Sequence, residues 1–318
     1  MPVALTEIPA DLLAPLRRAR SGPPAGLEAA LRELHLRPLT GGRQNHVYLW
    51  TPPGGHEAVV KIYYKTDDRR RAEREWAALT LLAARKIEGA PLPLWIDPDP
   101  AEPVIGMSLV RGEPLLRAAD PHAALQGLAD TTARMRSVPL SGLLAELPRI
   151  DSASHYMRRL TDTWPKLLAD HTSDPLTPTM RDLLVAWQRN DDAGLLSGPA
   201  ERVFSRGDSN LLNWLRAGTS SACVDFEFAG YSTVTFDAAD LIEHISSRDI
   251  PDSTWRDLLP ELGVSQANDH LFIAAQRTCA LRWLAVLWKQ REERAGEFAA
   301  QHDRVRLLFS SASPYART

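Results

Sequence analysis

Asp208, Asn213 and Asp225 are the residues whose types and spacing best suit chemistry. Asp208 follows the apolar run Val203-Phe204-Ser205, and Asn213 comes five positions later. Twelve residues beyond Asn213, the strand-like Ala222-Cys223-Val224 delivers Asp225-Phe226-Glu227. Two carboxylates and an amide brought from strand ends fit phosphoryl transfer. One carboxylate orients an attacking hydroxyl, while the amide and the second carboxylate hold Mg²⁺ on phosphate oxygens. The plain alternative is that Asp208 and Asn213 only shape a turn. The flanking strands and the second Asp weigh against it.

Lys61 lies in Ala58-Val59-Val60-Lys61-Ile62-Tyr63, where a charge among apolar neighbours is costly unless it meets a partner such as a nucleotide phosphate. The run resembles the V-A-I-K strand of protein kinases, whose Lys pairs with phosphates and with a Glu on the next helix. Here that Glu is Glu75 or Glu73, and Glu75 is favoured because it shares a helical face with Leu79 and Leu82. An edge-strand lysine facing solvent is the alternative. Upstream, Thr40-Gly41-Gly42-Arg43-Gln44-Asn45 lies between two strands, either as an ordinary turn or as a loop whose N–H groups cover phosphates. No G-x-x-x-x-G-K-[ST] occurs, which excludes a P-loop.

These residues need a scaffold, and the sequence implies one. Two short amphipathic helices, 10–20 and 27–36, are separated by Ser21-Gly22-Pro23-Pro24. From Arg37 the pattern turns to strand, Gly-containing turn and strand, followed by a helix over 69–86. A Pro-rich connection from Gly89 to Pro103 then leads to a strand, Val104–Val110. Beyond Pro114, helices are expected over Pro121–Ser137, Ser152–Ala169 and Pro178–Arg189, with strand, loop and strand over Arg202–Gly230. Residues 269–290 are apolar nearly all round, as in a buried helix. The expected fold is α+β and bilobal: a small sheet-rich N-terminal lobe, residues 1–110, and a larger helical C-terminal lobe, residues 111–318.

Composition narrows the partners. The 318 residues are 44% hydrophobic and 24% charged, enough to bury a large core. With 37 Lys and Arg against 40 Asp and Glu, net −3, neither nucleic acid nor an anionic membrane is an expected partner. From Asp225 onward there are 14 acids and 10 bases, net −4, leaving +1 for residues 1–224, a distribution that favours a cationic ligand near the C-terminal part. Two cysteines without a C-x-x-C support neither a zinc module nor a disulfide framework. Glu7 and Asp11 interrupt any secretory signal and no 18-residue stretch lacks a charge, so a cytoplasmic protein without a membrane span is expected.

Taken in order, these motifs resemble the aminoglycoside phosphotransferase and choline kinase family, small-molecule kinases with a protein-kinase-like fold. The likeness runs from about Leu39 to Leu241 and includes Phe236-Asp237-Ala238-Ala239-Asp240-Leu241, in which Asp237 reads as a helix cap. The resemblance implies that Asp208 is the catalytic carboxylate and that Asn213 and Asp225 bind magnesium. It further implies that Lys61, paired with Glu75, contacts the α- and β-phosphates. The loop of Gly41, Gly42 and Asn45 would cover the phosphates. The backbone from Ser108 to Val110 would receive adenine with Met107 behind it, making ATP the expected donor and GTP the less expected one. Arg206 departs from the family, which usually has His there. Only 11 residues separate Asp225 from Asp237, too few for a protein kinase's activation segment, so a protein substrate is disfavoured.

The acceptor is expected against the C-terminal helices. Glu227 and Glu243 are candidates for meeting amino groups, and Trp283 for facing a cation through its ring. Each has a structural alternative: Trp283 lies in the apolar helix, and Glu292-Glu293 beside two arginines reads as a solvated face. His244 reads as a helix residue rather than a ligand. The functional expectation is an ATP- and Mg²⁺-dependent kinase of a hydroxyl on a small, amine-containing molecule: an aminoglycoside-like antibiotic, an amino sugar or an amino alcohol. The competing reading is a kinase-fold protein that binds nucleotide or metabolite without turnover.

Overall fold

The computed structural model describes residues 7–39, 45–63, 69–217, 220–310 and 314–315. Five antiparallel strands form the N-terminal sheet: β1 (Leu36–Pro38), β2 (His46–Trp50), β3 (Ala58–Ile62), β4 (Pro93–Asp97) and β5 (Val104–Ser108), in the order β1-β2-β3-β5-β4. Alternation along the strands sends side chains to two different cores. Val60, Ile62 and Val104 pack outward with Leu12, Leu13, Leu16 and Leu31 of α1 (Ala10–Arg20) and α2 (Pro24–Glu33). Leu79, Leu82, Ile105 and Met107 join the larger core on the other face, to which α3 (Arg71–Ala84) contributes. Lys61, between Val60 and Ile62, is thereby directed to the α3 side.

The Gly89–Pro103 segment, expected to be a connection, contains β4. Pro93 stands at the start of this edge strand, where its missing N–H removes no ladder bond, and the register slips between Pro93 and Trp95. Trp95 lies against Gly106 of β5, where a Cβ would collide with the indole. α1 is tied to the same edge by Arg17 on Asp97 and Arg20 on Glu102, both at 2.8 Å.

The C-terminal region is helical around short strands. After β6 (Glu113–Pro114) come α4 (Pro121–Arg136), α5 (Leu143–Glu146), α6 (Ala153–Arg158) and α7 (Trp164–Ala169). α6 and α7 form the helix expected over 152–169, joined by a π turn at Arg159–Thr163 just before Pro165, which has no N–H to continue the ladder. α8 (Thr177–Arg189) and α9 (Asp192–Ser197) precede β7 (Val203–Ser205), β8 (Trp214–Ala217), β9 (Ser220–Cys223) and β10 (Gly230–Ser232). α10 (Val234–Glu243), α11 (Asp252–Leu258), α12 (Asp269–Trp288) and α13 (Ala295–Leu308) complete the fold. α12 is the expected buried helix, with Phe272, Cys279, Leu284 and Trp288 in the core.

Asp237 is not the helix cap. Thr233 caps α10 by accepting from the Phe236 N–H, and Asp237, one turn in, pairs with Arg149 at 2.9 Å. Among the described residues no helix is long and apolar enough to cross a membrane.

Candidate active site

The loop after β7 carries Asp208. It can form because Gly207 takes φ +84°, where a Cβ would also strike the Phe228 carbonyl. Asp208 Oδ1 accepts the Asn210 N–H at 2.9 Å, and Oδ2 accepts from Asn213 Nδ2, leaving the carboxylate oriented and 23% exposed. The same Asn213 N–H₂ contact leaves its Oδ1 available for a cation. Leu211 N–H donates to Ser246 Oγ at 2.9 Å, fastening this loop to the segment after α10.

The loop after β9 carries Asp225 in a left-handed conformation, φ +69°, uncommon for a non-glycine residue and a feature of strained functional loops. Arg206 spans the two loops. Its guanidinium donates to the Val224 and Asp225 carbonyls, each at 3.2 Å, and to the Asp208 carbonyl. The basic residue in the position where His was expected therefore fixes the Asp208 loop against the Asp225 loop.

Lys61, 5% exposed, donates to Glu75 Oε2 at 2.6 Å and Asp225 Oδ1 at 2.7 Å, and lies 3.1 Å from Glu227 Oε2. Of the two glutamates on α3, it is Glu75 that reaches Lys61, whereas Glu73 is exposed and pairs with Arg70. Glu75 also accepts from the Tyr63 hydroxyl and from the Phe226 N–H, two contacts that the sequence did not single out. Burial opposes the Lys61 charge, but Asp225, Glu75 and Glu227 outweigh it and hold the ammonium pKa well above its ordinary value. Burial pushes the Glu75 carboxyl up despite Lys61. It acts likewise on Asp225, but there the charge and hydrogen bond of Lys61, with Arg206 and Arg71 behind, win and bring the pKa down.

The other expected site residues fall in several places. Gly41 and Gly42 lie outside the described residues. Asn45 Nδ2 donates to Glu227 Oε2. Met107 is buried in the core; Ser108 uses its N–H and its Oγ on Leu92, and Val110 follows half-buried. Glu227 is turned toward the N-terminal lobe, where Arg71, Asn45 and Lys61 surround it. Glu243 is buried on Gln276 at 2.8 Å and Arg304 at 2.7 Å, lining a separate cavity of about 300 Å³ with Asp252, Trp255 and Gln301. Trp283 is half-buried, edge-to-face with His244.

Glu75, Asp225 and Glu227 offer carboxylate oxygens all within 4.8 Å of one another. Lys61 bridges these three carboxylates, and their hard oxygens, like the amide oxygen of Asn213, are of the kind that suits a divalent cation such as Mg²⁺ rather than a soft metal. Residues 35–263 match the model of a phosphotransferase enzyme family. The chain belongs to that family. No curated protein matches its sequence. The structure is similar to aminoglycoside phosphotransferase APH(4)-Ia in a ternary complex with ADP and hygromycin B, with TM-score 0.63, 13% identity, and coverage of 92% of this chain and 99% of that one. It is similar too to amicoumacin kinase hAmiN with AMP-PNP, Ca²⁺ and Ami (TM-score 0.62, 13% identity, 91% and 95% coverage). A choline/ethanolamine kinase family protein from Mesorhizobium loti gives TM-score 0.59 at 16% identity, covering 88% and 90%. At these identities the likeness fixes the fold of the phosphotransferase: a small antiparallel sheet lobe and a helical C-terminal lobe.

Proposed function

We propose that this phosphotransferase moves the γ-phosphoryl group of ATP, less readily GTP, to a hydroxyl of a small molecule in the cytoplasm, the class being aminoglycoside-like antibiotics, amino sugars and amino alcohols. Residues 1–110 serve the nucleotide and residues 111–318 the acceptor. The observation that carries the reading is the pairing of two loops by Arg206: one presents an oriented, partly exposed Asp208, the other an Asp225 bonded to Lys61. Asp208 receives the hydroxyl proton as the oxygen attacks, and its two hydrogen bonds aim it before the acceptor arrives. Lys61, held in place by Glu75, fixes the donor's phosphates, and the preformed pair costs no rearrangement at the moment of transfer. Asn213 and Asp225 would hold Mg²⁺, which when bound neutralises phosphate oxygens.

The test is ADP release under Mg-ATP across kanamycin, hygromycin B, choline and neutral polyols, with Asp208→Ala alongside. Release that depends on one acceptor and vanishes in Asp208→Ala is expected. Mg-ATP binding with no release for any acceptor would favour a binding protein instead.

A further inference from the structure

The carboxylates that would meet an amino group near Asp208 are already engaged. Asp240 accepts from Arg149, from the Tyr156 hydroxyl at 3.0 Å and from Ser209 Oγ at 2.6 Å. Asp151 holds His155 at 2.9 Å and Arg282 at 3.3 Å, and Asp237 holds Arg149, while Glu227 is turned to the N-terminal lobe and Glu243 lines a separate cavity. An ammonium group entering here would meet carboxylates whose charge an arginine already balances, and would be repelled by that arginine.

The wall beside the Asp208 loop offers donors instead. His244 ends α10, and its Nδ1 accepts the Ser246 N–H at 3.1 Å, with Ser246 Oγ at 2.8 Å. That Oγ is the group that accepts from Leu211 of the Asp208 loop. A ring nitrogen accepting a backbone N–H must carry a lone pair, so the neutral imidazole bears its proton on Nε2. Burial lowers the His244 pKa; Asp240 and Asp208 pull it upward, while Arg282 and Arg206 reinforce the lowering. Trp283 stands edge-to-face on the His244 ring, with centroids 5.0 Å apart. The Arg282 guanidinium lies over Trp283 at 4.4 Å and over Tyr156 at 4.6 Å. The Trp283 Nε1–H has no hydrogen-bond partner among the described residues.

Resting on the kinase reading, we propose that this wall recognises the acceptor through oxygen: His244 Nε2–H donates to an acceptor oxygen next to the reacting hydroxyl, and Trp283 packs on the carbon face of its ring. The acceptor is thus of the polyol or sugar-ring class at the reacting end, and any amino groups it carries lie away from His244. His244 is a specificity residue and takes no proton in the transfer.

The test compares wild type, His244→Phe and His244→Gln by ADP release with hygromycin B, kanamycin A, myo-inositol and choline as probes. A lost neutral hydrogen bond predicts that His244→Phe raises the KM of the acceptor that is turned over by up to about tenfold. Gln, whose amide nitrogen reaches the place of Nε2, restores it, and the KM for ATP stays constant in both variants. An equal rise in the KM for ATP, no rise for the acceptor, no rescue by Gln, or choline as the best probe overturns the proposal. Nitrogen-15 spectra of the histidine rings near neutral pH give a reading that needs no turnover. A proton on His244 Nδ1, or an imidazolium, overturns the proposal, and the Nε2–H tautomer supports it. Loss of the kinase reading itself would appear separately, as absence of Asp208-dependent ADP release for every probe.

Discussion

Lys61 is held between carboxylates from α3 and from the Asp225 loop, and its removal would leave Glu75, Asp225 and Glu227 facing one another. Breaking a buried pair by deleting one partner costs about 3–5 kcal/mol, so Lys61→Met should melt well below wild type. A divalent cation can substitute for the missing ammonium. Added Mg²⁺ or Ca²⁺ should therefore raise the melting temperature of Lys61→Met more than that of wild type, as differential scanning fluorimetry would show; an equal response would count against the cluster as a cation site. Asp151 makes a pH prediction. Burial works against its charge, but the His155 hydrogen bond and Arg282 bring its pKa down to about 2. A depressed folded pKa contributes stability above the unfolded value, about 3.9, and loses it as pH falls toward 2, a term of about 2 kcal/mol. Asp151→Asn, which tolerates the left-handed φ of +59°, should flatten that acid limb of the stability profile measured by urea unfolding between pH 5 and pH 2. A limb as steep as in wild type would contradict the assignment.

At the level of elements, one arginine sets the relation between two loops. Arg206→Gln loses the fork that serves three carbonyls, and Arg206→Lys keeps the charge but not the fork. Both variants should lower kcat by tenfold or more, on the order of one to two hydrogen bonds to a charged group. They should weaken Mn²⁺ binding in parallel, with Lys the milder. A fall in melting temperature alone, with kcat and Mn²⁺ affinity intact, would make the residue merely structural. The helices and strands that position the site were largely legible, because α3 carries an apolar stripe, α12 is apolar nearly all round over twenty residues, and β3 is a short apolar run broken by one charge. β4 was hidden by its prolines, which read as a connection until the edge position explains them. Asp237 looked like a cap because Asp favours that position, yet Thr233 occupies it and frees Asp237 for Arg149.

Across the whole molecule, the polar contacts that join the sheet lobe to the helical lobe include Lys61 on Asp225, Arg71 on Glu227, and Arg74 on the Pro148 and Ala229 carbonyls. Spacing along the chain exposed the first, because the strand charge and the two aspartates are each anomalous in their setting. It did not expose where Glu227 and Glu243 point, since adjacency to a site residue says nothing of which lobe a side chain faces. Nor did it expose His244, a half-buried residue at a helix end whose role depends on the ring's hydrogen bonds. The charge balance of −4 beyond Asp225 suggested a cationic partner; the carboxylates that create it near Asp208 are largely spent on arginines. The most direct measurement separates binding from transfer in Asp208→Asn. Titration calorimetry with Mg-AMP-PNP should give the wild-type affinity, while phosphoryl transfer from Mg-ATP to the accepted probe falls by at least about a thousandfold. Transfer at the wild-type rate in Asp208→Asn would contradict the account.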